Sequence, residues 1–351
     1  MWFPFRSSAL SNVGALAVAL LPLGASAQVV PGAAPLFQDH EPLRLRIEAD
    51  FNELRDDRDQ DAEERDGLLV IIAPDGSEES YPLEIRTRGR FRLLSSTCRF
   101  PPLRLDVPKS QMDGTPFEDQ DKLKLVTHCR DDERYEQNSI KEYLVYRIYN
   151  LLTPNSFQAR LARITYFDVT GDDDPIERWG FVIEAEEALA ERLGASVVED
   201  RPDGVHPAQV EDTAAGLLNL FQYMVGNTDY SIYGQHNVVA FEAEGMVTPI
   251  PYDFDWTGLV NAPYAKPDPS LQVRNVRRRV YRGLCRPGID YATVNAQVLS
   301  KREAITDLVR TESRLGEDER EDVLDFLEGF WETLEDPGDA KGRIEDACRR
   351  M

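Results

Sequence analysis

The chain of 351 residues has only four cysteines, Cys98, Cys129, Cys285 and Cys348, and no two of them form a CxxC pair. That spacing excludes the usual zinc-ribbon and dithiol redox motifs. Four cysteines allow three complete pairings in an oxidising compartment, and pairing by proximity, Cys98 with Cys129 and Cys285 with Cys348, puts one staple in each half of the chain. Basic residues are also in deficit, since 40 Lys and Arg face 63 Asp and Glu for a formal net charge of −23. Such a surface repels polyanions, which excludes nucleic acid as a partner of the surface as a whole and leaves a local basic pocket open to a small anion. Internal repeats are absent. Beyond the N-terminus no run is long and apolar enough to span a bilayer, so stable membrane insertion is not expected.

The apolar run that does exist opens the chain. MWFPFRSSALSNVGALAVALLPLGASAQ has a single positive charge at Arg6, an apolar stretch from Val13 to Leu23, and Ala25, Ser26 and Ala27 before Gln28. This is the layout of a secretory signal peptide. The run falls short of the roughly 20 apolar residues of a membrane anchor and ends at Pro22 and Gly24. Residues 1–27 are therefore expected to be cleaved near Ala27, leaving a secreted or periplasmic protein.

Residues 28–41 read as a flexible segment rich in Pro, Gly and Ala at its start. Residues 42–185 read as β-rich. LRLRIEAD (43–50) alternates as a strand does, and GLLVIIAPDGSEESYPLEIRTRG (67–89) reads as strand, Asp-Gly turn, strand. The charged run 55–67 has no apolar face and reads as an exposed loop. Strands are predicted at 102–107, 122–127, 162–169 and 178–185, with one helix from Tyr135 to Leu152. Residues 186–351 read as helix-rich, with helices at 186–194, 211–225, 290–311 and 317–336 and a hairpin of NVVAFEA and VTPIPYDFD. The boundary falls within 186–208, and the whole reads as an α+β chain in two parts.

The chemistry-bearing stretch is 226–255. If VTPIPYDFD is a strand throughout, Asp253 and Asp255 share one face, and two such carboxylates repel unless a cation lies between them. Carboxylate and amide oxygens are the hard ligands that suit magnesium or calcium, so Asp253, Asp255 and Asn237 form a candidate metal set. Asp229, in the preceding loop, is free to act as a base or to orient a hydroxyl. In the N-terminal part Arg86, Arg88, Arg90 and Arg92 alternate around Gly89, Lys122 and Lys124 alternate in DKLKLV, and Glu142 sits on the predicted helix. Together these are parts that can hold phosphate oxygens and fix a lysine by an ion pair.

The order IRTRG, KLKLV, NSIKEYLVYRI, WGFVIEAEE, GNTD, HN and PYDFD, over roughly residues 43 to 260, resembles the CotH-like secreted kinases, the spore-coat-protein-H family of atypical protein kinases. The resemblance implies a two-lobed protein-kinase-like fold with a β-rich N-lobe and a helix-rich C-lobe. It implies phosphoryl transfer from ATP, with Mg²⁺ or Mn²⁺, to a hydroxyl of a protein or small molecule. By the same resemblance Arg88 and Gly89 lie by the phosphates, and Lys124, with Lys122 as alternative, is the strand lysine paired with Glu142. Gly180 and Glu186 lie near the adenine side, Asp229 beside Asn227 is catalytic, and Asp253, with Asp255 next to it, holds the metal. The chain departs from the family pattern where Tyr230 follows Asp229, where Asn237 lies eight residues on, and where Arg90, Phe91 and Arg92 follow Gly89. Two other functions fit the same residues: an inactive pseudokinase or binding protein of the cell envelope, and an extracellular module stabilised by calcium.

Overall fold

The computed structural model describes residues 1–2, 30–199 and 203–350, so nearly all of the expected signal peptide lies outside the described residues. In chain order the N-terminal part holds β1 (Leu43–Ala49), α1 (Phe51–Asp56), β2 (Arg65–Ile72), β3 (Glu78–Thr87), β4 (Leu103–Asp106), β5 (Lys122–Val126), α2 (Glu133–Leu152), β6 (Ala159–Asp168) and β7 (Ile176–Ile183). Its seven strands form a closed barrel in the order β1-β2-β3-β4-β5-β7-β6. Every neighbouring pair is antiparallel except the closing one, where β1 runs parallel to β6 from Leu43 opposite Ala162 to Ala49 opposite Asp168.

Alternation explains the packing. Leu45, Ile47, Leu83, Ile85, Leu103, Leu105, Leu123 and Leu125 point inward and fill the barrel with one apolar cluster. Arg86, Arg104 and Lys124, one residue out of phase, stay partly exposed on the outer face. The segment before β1 joins the same core through Leu36 and Phe37, and Arg160 ties it down by donating to the carbonyls of Leu36 and Glu41 at 3.1 and 2.9 Å. That part of residues 28–41 is packed. The charged run 55–67 starts as the last turn of α1 and ends inside β2.

Helix α2 lies between the barrel and the rest of the chain, with Ile140, Tyr143, Leu144, Val145, Tyr146, Ile148 and Tyr149 buried on all sides of it. A helix buried on every side is an interior helix, and α2 carries Asn138, Ser139, Lys141 and Glu142 into that interior as well. Each of its large side chains contributes roughly 1.5–3 kcal/mol by leaving water. The chain continues as α3 (Glu186–Leu193), β8 (Ser196–Val197), α4 (Asp212–Val225), β9 (Val238–Ala243), β10 (Met246–Pro251), α5 (Tyr291–Leu299), α6 (Arg302–Thr311) and α7 (Glu317–Glu335). Strands β10, β9 and β8 make a small sheet, while α4 to α7 pack with α2 in a second apolar cluster. The disulfides are Cys98–Cys129 and Cys285–Cys348, the pairing expected from proximity.

The protein-kinase-like fold implied by the resemblance is overturned. A kinase-type N-lobe is an open twisted sheet with free edges, whereas here β1 bonds to both β2 and β6 and the sheet has none. The coarse division survives only as a β-barrel followed by a helical bundle. Among the described residues no helix is long and apolar enough to cross a membrane.

Candidate functional site

Three pieces of chain meet where the outer face of the barrel approaches β9 and β10. The first is the loop after β3. The expected row of alternating arginines does not form, because β3 stops at Thr87, Gly89 takes φ +106° and Phe91–Leu93 form a 3-10 turn. The turn swings Arg92 inward. Its Nη2 donates to Glu142 Oε2 at 2.8 Å, and its Nε lies 3.2 Å from Asp255 Oδ2 and 3.1 Å from Tyr264 Oη. Phe91 next to it packs on Trp256, with ring centroids 5.0 Å apart, and latches the loop onto the helical part.

The second piece is the segment after β10. Pro251 is its last paired residue, and Asp253 has φ +59°, in the left-handed region that non-glycine residues seldom adopt. The premise that Asp253 and Asp255 share a strand face therefore fails. Asp253 is held by its backbone, whose N–H donates to Tyr146 Oη at 2.9 Å. Asp255 is buried, receiving the Tyr264 hydroxyl at 3.0 Å as well as Arg92.

Glu142 and Asp255 thus share one guanidinium in a place with little water. Burial pushes Glu142 up to about 8 against the pull of Arg92, with the charges of Asp255 and Asp253 adding to the rise. Burial likewise pushes Asp255 up to about 7, again opposed by Arg92 and aided by Asp253. Both carboxyls are thus raised by the same burial, and they titrate as a pair. The second oxygen of Glu142, Oε1, is buried without a hydrogen-bond partner. Arg88, half-buried, acts electrostatically on both Glu142 and Tyr146.

The third piece is the loop 226–237. Asn227 Oδ1 accepts from the Asp229 N–H at 2.8 Å, a local turn that explains why Asn precedes Asp by two. Asn237, at φ +51°, donates its amide to Asp229 O at 2.8 Å and to Asp229 Oδ2 at 3.0 Å. The other carboxylate oxygen of Asp229 meets His236 Nε2 at 2.8 Å, and this hydrogen bond raises the imidazole above its ordinary value.

The remaining candidates lie nearby with partners other than those expected. Lys124 Nζ pairs with Glu186 Oε1 at 2.6 Å and stands 5.1 Å over the Tyr252 ring, while Glu142, its expected partner, belongs to Arg92. Lys122 pairs with Asp106, opposite it on the neighbouring strand β4. Gly180 is a packing residue, since a Cβ there would sit 2.6 Å from the Val126 carbonyl oxygen. Sequence reading overlooks Tyr146, Tyr264 and His236. His236 adjoins Asn237 and is detectable as a titratable neighbour, but nothing local marks the two tyrosines.

The kinase reading, with its ATP-binding and magnesium roles, is not supported by this geometry. Asn237 is spent on Asp229, Asp255 is spent on Arg92 and Tyr264, and among the described residues no three carboxylate or imidazole groups of this region converge on a point. Among the described residues, the group of three whose ligand atoms lie within 4.8 Å of one another is Glu64, Glu84 and Asp106, on the outside of the barrel. Without a converged metal set and a lysine–glutamate pair on α2, the parts that align a triphosphate are missing. The site instead gathers charge of both signs, with Arg88, Arg90 and Lys124 from the barrel part, Glu142 from α2, and Asp229 and Asp253 from the second part. The chain matches no protein-family model, and a search of curated proteins finds none that matches it.

Proposed function

We propose that this chain is an exported binding protein without catalytic turnover, whose cleft takes a small anionic molecule together with a divalent cation. The observation that carries the reading is the buried Glu142, with one oxygen on Arg92 and the other unpaired, within electrostatic reach of Asp253, whose backbone is in the left-handed region. An unsatisfied buried carboxylate oxygen costs roughly 1–3 kcal/mol or more, and a cation shared with Asp253 relieves both that cost and the mutual repulsion. Arg88 and Arg90 lie at the rim, where guanidinium forks suit phosphate or carboxylate oxygens. Nucleotides belong to the ligand class that this chemistry admits. The apolar N-terminal run from Val13 to Leu23, with its cleavage pattern near Ala27, and the two disulfides support a secreted or periplasmic location.

The test is a thermal-shift and calorimetric titration with Ca²⁺, Mg²⁺ and Mn²⁺, each with and without ATP, alongside a labelled-phosphate transfer assay. The expected result is cation-dependent anion binding that weakens at least tenfold in Asp253→Asn, with no transfer. Neither cation nor anion binding, or measurable transfer, would overturn it. Calcium stabilisation that persists in Asp253→Asn and vanishes in Glu84→Gln would move the function to the calcium-stabilised extracellular module.

A further inference from the structure

A second basic region lies away from the cleft. The segment Val273–Tyr281 borders a cavity of about 480 Å³ that is also lined by Tyr223 of α4, Thr333 of α7 and Arg343 near the C-terminus. Three consecutive arginines, Arg277, Arg278 and Arg279, face it in a chain whose net charge is −23. Arg277 is fully engaged, with two bonds to Asp322 at 2.6 and 2.9 Å. Arg279 is different. It donates Nε to Met224 O at 3.0 Å and Nη2 to Phe326 O, stacks 3.8 Å over the Phe326 ring, and has no carboxylate within ion-pair distance among the described residues. Burial, with Arg277 beside it, lowers this guanidinium to about 10, the phenol of Tyr223 acting in the opposite sense.

Tyr223 of α4 lines the same cavity. Its phenol is buried, and the cationic charges acting on it are Arg279, Arg343 and Arg278, with Asp339 the opposing one. Arg278 is exposed and makes no side-chain hydrogen bond or ion pair among the described residues, while Arg343 pairs at the surface with Asp339 at 3.2 Å. The wall that carries Arg343 is held against the arginine segment by the Cys285–Cys348 disulfide and by Cys285 N–H donating to Arg349 O at 2.9 Å. A fixed wall keeps the guanidiniums together against their own repulsion.

We propose that this cavity binds a tetrahedral oxyanion, phosphate or sulfate, free or as a monoester, held by Arg278, Arg279 and Arg343 with the Tyr223 hydroxyl as a further donor. Guanidiniums from two separate stretches of chain and a phenol from α4 line one cavity, which suits an anion with three or four oxygens better than a planar carboxylate with two. The site shares no residue with the barrel cleft and stands whether or not that cleft binds its ligand.

The experiment is calorimetric titration of the full exported chain at low ionic strength with inorganic phosphate, sulfate, glycerol phosphate and acetate. Wild type binds phosphate or sulfate saturably, and the double variant Arg278→Gln/Arg343→Gln loses at least tenfold in affinity while its anion-free melting temperature is unchanged. Tyr223→Phe loses a smaller factor, and Asp253→Asn binds as wild type. Glycerol phosphate tighter than phosphate identifies a monoester as the ligand, and equal binding identifies the free anion. No saturable binding at millimolar anion, affinity unchanged in the double variant, or acetate binding as tightly as phosphate would overturn the proposal.

Discussion

Two carboxyls around one guanidinium make stability depend on pH in a definite direction. Glu142 is held at about 8 in the folded chain by burial, well above the ordinary glutamate value, so folding takes up a proton between the two values. Its contribution is complete below the unfolded value and is lost as pH rises through about 8. Chemical denaturation of wild type and Glu142→Gln from pH 5 to 9 is expected to show the difference moving in favour of the variant as pH rises; a difference independent of pH would contradict it. His236, raised by its hydrogen bond to Asp229, acts in the same sense, with stability present below its ordinary value and lost above its folded one. His236→Gln is therefore expected to cost more at pH 5.5 than at pH 8.5, where wild type and variant converge. Asp229 and Asp253 are legible from sequence because acidic residues among apolar ones stand out. Arg92 is not legible as the companion of Glu142 and Asp255, because Glu142 lies 50 residues away and the turn that joins them depends on backbone angles.

At the level of elements, α3 is fixed to β7 by a pair that sequence pattern alone does not announce. Arg192 donates to both oxygens of Glu184 at 3.0 and 2.9 Å and to the Pro154 and Ser156 carbonyls, with both side chains almost fully buried. Breaking such a pair from one side strands a buried charge, so Arg192→Leu is expected to lower the unfolding free energy by about 3–5 kcal/mol in urea titration. Combining it with Glu184→Leu should recover part of that loss. Gly180→Ala in β7 forces a methyl into the Val126 carbonyl and is expected to cost about 1–3 kcal/mol by the same measurement. The strands and helices themselves are largely legible, since periods of two and near four mark β1, β5, β6, α2 and α4 to within a few residues. The end of β10 is not: PYDFD continues an alternating pattern, yet the left-handed backbone at Asp253 turns it aside.

Across the whole molecule, closure is what the sequence conceals. Each strand can be read singly, but that β1 bonds to β6 as well as β2 is a pairing between residues far apart, and no local signal encodes it. The Cys98–Cys129 disulfide sits between β3 and α2 and restrains a loop of 31 residues. Its removal in Cys98→Ala/Cys129→Ala is expected to cost about 3–4 kcal/mol, with the barrel's strand content by circular dichroism retained at room temperature. The parallel closing pair also sets an order of events in time. Leu43 meets Ala162 across that pair, so the first strand waits for most of the barrel sequence before its second edge is covered. Contacts of such long range make for slow folding, and until β6 arrives β1 offers bare N–H and C=O groups to any passing strand. The vulnerable species is thus the half-made chain, and a cell producing this protein has to shield the open edge of one short alternating strand until β6 has been delivered.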